Sequence, residues 1–137
     1  NHGVIYDFIK KMMKNRNSLE VLGDGTQTKS YIHVEDCIDG ITYLYEKVRG
    51  YEVFNLGTDG STNVMDIAKM VVSLLNLKNV KIYTTGGKDG RGWAGDIKVM
   101  LLSIEKAKSY GWYPKYNSDE AVKKAIMEIS GELGWKY

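Results

Sequence analysis

Several residue types are scarce in this 137-residue chain, and each scarcity excludes something. Cys37 is the single cysteine, so no internal disulfide framework can staple the fold, and a reducing, cytoplasmic setting is expected. Histidine occurs only at His2 and His33, and no Cys/His spacing resembles a structural zinc site. No metal is expected. No apolar run approaches the roughly twenty residues that cross a bilayer, and no signal-peptide pattern opens the chain. A membrane partner is therefore excluded. An excess of one charge is also missing: 19 Lys and Arg face 17 Asp and Glu, and a formal +2 is too balanced for a nucleic-acid partner. What remains is ordinary for one globular core, with 43% hydrophobic and 26% charged residues.

The stretch that organises the chain is Gly23-Asp24-Gly25-Thr26-Gln27-Thr28-Lys29-Ser30-Tyr31-Ile32-His33-Val34-Glu35-Asp36. It reads as a turn, a strand through Tyr31, Ile32 and Val34, and a helix N-cap at Asp36. A glycine turn ahead of a strand is not the dinucleotide fingerprint, whose glycines follow a strand and open a helix. On such a strand Gln27, Lys29 and His33 present polar groups that can line a cleft for an anion or simply face solvent.

Elsewhere the pattern alternates short strands with amphipathic helices. Val4, Ile5, Phe8, Ile9, Met12 and Met13 make one apolar face straight after Asn1-His2-Gly3, an opening without a Met that reads as a trimmed or processed chain. Leu19 to Leu22 reads as a strand, and Ile38, Ile41, Leu44, Tyr45 and Val48 as the inward stripe of the helix behind Asp36. Val53 to Leu56 reads as a buried strand, with an unpaired edge that invites self-association. Asn63 caps the next helix, with Asp66 closing a box-like pair, and Val80 to Tyr83 is a further strand. Residues 86–95 carry five glycines and can only be a loop. In that loop Arg91 suits phosphate, Trp93 stacking and Asp96 sugar hydroxyls, against the alternative of a mobile surface loop. A short helix ends at Gly111 before Pro114, with Tyr110, Trp112 and Tyr113 filling core, and a last helix opens at Ser118. Residues 131–137 read as a frayed tail.

The organising stretch resembles the C-terminal part of the extended short-chain dehydrogenase/reductase family, the NAD-dependent nucleotide-sugar epimerases and dehydratases of the UDP-glucose 4-epimerase type. There a Gly-x-Gly-x-Gln-x-Arg-x-aromatic-Ile-His-Val-x-Asp run carries an Arg that meets the nucleotide diphosphate; Lys29 holds that place here. An Arg-x-x-Gly-Asp run resembles the Trp93 to Asp96 segment, with Gly95-Asp96 matching, Trp93 at the Arg position and Arg91 two residues earlier. The Asn-Leu-Gly step at 55–57 and the Gly-Trp-x-Pro step at 111–114 match as well.

The resemblance implies an α/β fold of mixed short strands and helices, the C-terminal substrate-binding part of an extended Rossmann-type epimerase. Residues 1–137 would be one such unit, a fragment without the N-terminal Rossmann part that binds NAD. Lys29 and Arg91 would hold the diphosphate and Asp96 the ribose, with Gln27 and Trp93 beside them; the parent enzyme would be a homodimer. Tyr43 and Lys47 are a literal Tyr-x-x-x-Lys, yet they lie on the helix that is not catalytic in this family. No catalytic residue is expected, and the chain alone should turn nothing over. Two other readings stay open: a non-catalytic nucleotide-sugar-binding or regulatory module, and a subunit-contact domain.

Overall fold

A computed structural model describes residues 3–137, so the opening Asn1-His2 lies outside the described residues. Among the described residues five α-helices and five short strands are interspersed, the α/β class the periodicities predict. In order they are α1 (Val4–Lys14), β1 (Ser18–Val21), β2 (Thr28–Lys29), α2 (Val34–Lys47), β3 (Thr62–Asn63), α3 (Val64–Leu74), β4 (Lys81–Thr84), β5 (Val99–Met100), α4 (Glu105–Ser109) and α5 (Ser118–Glu132).

The strands form two small sheets. β1 and β4 run parallel, with Ser18 opposite Lys81 and Val21 opposite Thr84. β2 is the centre of the other, antiparallel to β3 and parallel to β5. In β1 the pleat turns Leu19 and Val21 inward, where they meet Phe8, Ile9 and Met12 of α1, Ile67 and Val71 of α3, and Ile126 of α5. Three amphipathic helices thus share one core.

The tail departs from the expectation of fraying. α5 runs on to Glu132, and Trp135 is buried in the core with the Arg16 guanidinium 4.4 Å above its ring. An indole brings enough apolar area to offset the entropy of ordering a terminus.

α2 departs from its apolar stripe. Ile38, Ile41 and Tyr45 are 59%, 57% and 83% exposed. The inward line is Asp36, Gly40 and Leu44, spaced by four. Gly40 is there because a ring lies on the helix: a Cβ would stand 2.9 Å from Trp112 Cε2 and 2.8 Å from Leu56 Cδ2. Trp112 joins Leu44 and Ala107 in a second, smaller core, and its indole N–H donates to Asp39 at 3.0 Å. Tyr110 and Tyr113, expected beside it, are exposed instead.

Asp36 is not the N-cap. His33 is, its Nδ1 accepting the Glu35 N–H at 3.2 Å while Nε2–H donates to Glu128 at 2.8 Å. Asp36 is buried in the first turn, where its carboxylate accepts the N–H groups of Lys115 and Tyr116, each at 3.0 Å. The strand through Tyr31, Ile32 and Val34 is likewise corrected, because β2 ends at Lys29 and Val34 opens the helix. Residues 53–56 belong to no strand. Asn63 does cap α3, accepting the Asp66 N–H at 2.8 Å, but Asp66 returns to the Asn63 side chain rather than its backbone. The reciprocal box occurs at Asn117 and Glu120, ahead of α5.

Candidate functional site

The two glycine-rich stretches dock on each other. Gly23 and Gly25 adopt φ of 84° and 80°, which opens the 23–25 turn and aims its main chain at the 86–92 loop. The Asp24 N–H donates to Gly90 at 2.9 Å, and the Gly86 N–H donates to Gly23 at 2.8 Å. A Cβ at Gly23 would overlap Gln27 Nε2 and stand 2.5 Å from the Gly90 carbonyl. The glycines are dense because two backbones meet here. Lys98 closes the clasp, 3.4 Å from Asp24, whose carboxyl is held low chiefly by hydrogen bonds from Thr26.

From this clasp the strand register carries chemistry inward. The Thr28 N–H donates to the Lys98 carbonyl at 2.6 Å, and the Ser30 N–H to Met100 at 3.1 Å. That parallel pairing brings Asp96, just ahead of β5, beside the side chains that flank Thr28. Lys29 Nζ lies 3.3 Å from Asp96 Oδ1, while Gln27 Nε2 donates to Oδ2 at 3.1 Å and to the Leu22 carbonyl at 3.0 Å. The Gly92 N–H adds a contact to Oδ2 at 3.3 Å.

Burial pushes the Asp96 carboxyl up, and these hydrogen bonds together with the Lys29 charge more than reverse it, so its pKa sits below the usual aspartate value. Gln27 is 2% exposed and spends both amide hydrogens on acceptors. Its Oε1 has no partner among the described residues.

Gln27, Lys29, Trp93 and Asp96 line one cleft of about 630 Å³, whose apolar wall includes Phe8, Leu22 and Val64. Asp7 lines it too, with its charge answered by Lys11 at 2.9 Å. Four of the five residues proposed from sequence therefore converge. Arg91 does not line the cleft; it is exposed on the same loop.

Tyr31, absent from the residues expected there, lines the cleft as well. Burial, aided by the Asp96 charge, pushes its phenol up, so it is a neutral donor at physiological pH. A signal for it existed, since Gln27, Lys29 and Tyr31 alternate. His33 faces α5 instead.

A further hollow of about 400 Å³ lies between α2 and residues 50–56, lined by Ile41, Leu44, Tyr45 and Phe54. It is apolar and gathers no cluster of charges. Tyr43 and Lys47 lie outside the cleft: the Tyr43 hydroxyl donates to the Tyr110 carbonyl at 3.2 Å, and Lys47 sits 5.5 Å above the Tyr43 ring.

Among the described residues no group of three His, Cys, Asp or Glu could hold a metal ion, and no helix is long and apolar enough to cross a membrane. A dinucleotide would need a strand, a glycine turn and a helix in succession. The Gly23 turn joins β1 to β2 instead, so it is not that element.

The cleft thus brings together a cation, a fixed carboxylate, two neutral polar groups and an apolar wall. The profile of the NAD dependent epimerase/dehydratase family matches residues 1–57. A putative UDP-glucose 4-epimerase of Methanocaldococcus jannaschii is 28% identical over 124 residues, covering 90% of this chain and 38% of that protein. A GDP-L-fucose synthase of Sinorhizobium fredii is 27% identical over 113 residues, covering 82% and 34%. A crystal structure of UDP-galactose 4-epimerase superposes with a TM-score of 0.81 at 36% identity, over 96% of this chain and 41% of that one. The chain spans 34% and 38% of those two curated relatives.

Proposed function

We propose, on the match of residues 1–57 to the NAD dependent epimerase/dehydratase family and the 36% identity to a UDP-galactose 4-epimerase, that the cleft between Gln27, Lys29, Trp93 and Asp96 binds the nucleotide diphosphate sugar on which a longer epimerase acts. One observation carries the reading: Lys29 and Gln27, 67 and 69 residues from Asp96, both reach its carboxylate in the wall of a single cleft.

The geometry suggests an exchange of partners. In the free protein Asp96 neutralises Lys29. A diphosphate offers the ammonium more negative charge than one carboxylate does, so Lys29 turns to it. Asp96 stays fixed by Gln27 and the Gly92 N–H, and is then free to accept from a ribose hydroxyl. Arg91, exposed on the same loop but outside the cleft in the free protein, would have to turn inward to supply a second cation, and Trp93 closes one side of the cleft.

NAD would supply the hydride chemistry of such an enzyme. In this reading it is held by a dinucleotide-binding part of the longer protein, and residues 1–137 are the single α/β unit that grips and orients the substrate. We assign that enzyme to the cytoplasm as a homodimer of the UDP-glucose 4-epimerase type, and expect no turnover from this chain alone. A dehydratase would use the cleft in the same way, because none of these side chains takes part in hydride transfer.

Calorimetry with UDP-glucose, GDP-mannose and inorganic pyrophosphate tests the reading. We expect binding of at least one nucleotide sugar, weakened about tenfold or more in Lys29→Met, as the loss of a charge-assisted hydrogen bond implies. No heat from any of the three compounds, or unchanged affinity in Lys29→Met, overturns it.

A further inference from the structure

Trp93 departs from the other two tryptophans of the chain. Trp112 and Trp135 are 2% and 7% exposed, whereas Trp93 is 67% exposed. Its backbone is nevertheless well fixed. The Asp96 N–H donates to the Trp93 carbonyl at 3.0 Å, and the Gly92 N–H donates to the Asp96 carboxylate, so residues 92–96 form a tight turn. Inside that turn the indole folds back over Gly95, where an added Cβ would overlap Cζ3 and Cη2 and stand 3.0 Å from Cε3. Main chain therefore backs the ring on one side. Most of the rest lies open in the wall of the cleft that holds Lys29 and Asp96.

An indole left largely in water forgoes the burial that usually decides where tryptophan sits. Held open beside a cation, it has the form of a platform for a second ring. Stacking on an aromatic face tolerates many ring types and contributes about tenfold or more to affinity.

We propose that Trp93, braced on Gly95, is a stacking subsite for the flat ring that a phosphorylated ligand carries, so that ring and phosphate are held by different parts of one cleft. The subsite rests on the nucleotide-sugar reading above. A nucleobase and a pyranose face share the chemistry that an indole recognises, and each is joined to phosphate in a nucleotide sugar.

The test titrates the chain with UDP-glucose, UDP, glucose 1-phosphate and inorganic pyrophosphate, read by calorimetry and by emission of the single exposed indole. The variants are Trp93→Ala, Trp93→Phe and Gly95→Ala. Gly95 has no left-handed φ, so alanine fits its backbone there and acts by displacing the ring.

Trp93→Ala and Gly95→Ala should each weaken UDP-glucose about tenfold, leave pyrophosphate unchanged, and be matched by near-parental affinity in Trp93→Phe. A loss shared by UDP alone assigns the nucleobase to the ring, and a loss shared by glucose 1-phosphate alone assigns the sugar. Unchanged UDP-glucose affinity in Trp93→Ala, or pyrophosphate affinity falling in step, overturns the subsite while the nucleotide-sugar reading stands. Failure of every compound to bind the parent chain overturns both.

Discussion

The carboxylate of Asp36 accepts the backbone N–H of Tyr116 at 3.0 Å, joining residues 80 positions apart. With its second bond, to Lys115, it fixes the segment that leads into α5 against the first turn of α2. Replacing Asp36 by alanine leaves the N–H groups of Lys115 and Tyr116 without this charged acceptor. We expect a loss of roughly 2–4 kcal/mol, read as a lower urea midpoint, with asparagine losing less because one acceptor remains. An unchanged midpoint in the alanine variant would contradict the role given to this carboxylate.

Acid should weaken the fold through the cleft. The Asp96 pKa is lower folded than unfolded: burial raises it, but Gln27, Lys29 and Gly92 more than offset that. The folded chain then binds fewer protons, so the stabilisation is complete above the ordinary aspartate value of about 4. It is lost as pH falls through the lowered folded value. Glu128 acts in the same sense, held low by Lys124 first and by His33. Urea unfolding at a series of pH values should show a shallower acid decline in Asp96→Asn and in Glu128→Gln than in the parent. Parallel curves would refute the linkage.

The clasp between the two glycine loops makes Gly23 irreplaceable. Alanine there meets both a left-handed φ and the Gly90 carbonyl. The backbone cost alone is about 1–2 kcal/mol, and the methyl also crowds Gln27, which positions Asp96. Gly23→Ala should lower the melting temperature and nucleotide-sugar affinity together. Affinity that survives a lowered melting temperature would show that the clasp does not shape the cleft.

Ile38 and Ile41 contribute little to this fold, because α2 turns them to solvent. The double variant Ile38→Lys, Ile41→Glu should stay within about 0.5 kcal/mol of the parent and bind less of a hydrophobic dye. A loss of several times that size would place these side chains in a core.

Local signals carried most of the sequence reading. The helices α1, α3 and α5 follow from apolar periodicity, β1 and β4 from short β-rich runs, and the 86–95 loop from glycine density. Lys29 and Asp96 could be named by residue type and by family resemblance, but not as an ion pair, because the parallel register of β2 on β5 is written nowhere in either segment. Periodicity misled on α2, whose inward line is one carboxylate, one glycine and one leucine. Asp36 was misplaced for the same reason: its partners lie on the far side of the chain. Residues 131–137 looked unanchored because Arg16, which covers Trp135, is more than a hundred residues away.

Trp112 rests on the bare main chain of α2 at position 40, so these two sites share one fixed volume. A methyl gained at 40 must be matched by atoms surrendered at 112, and neither site can drift alone. In any lineage that keeps this fold, the two positions are expected to change as a pair or to stand still.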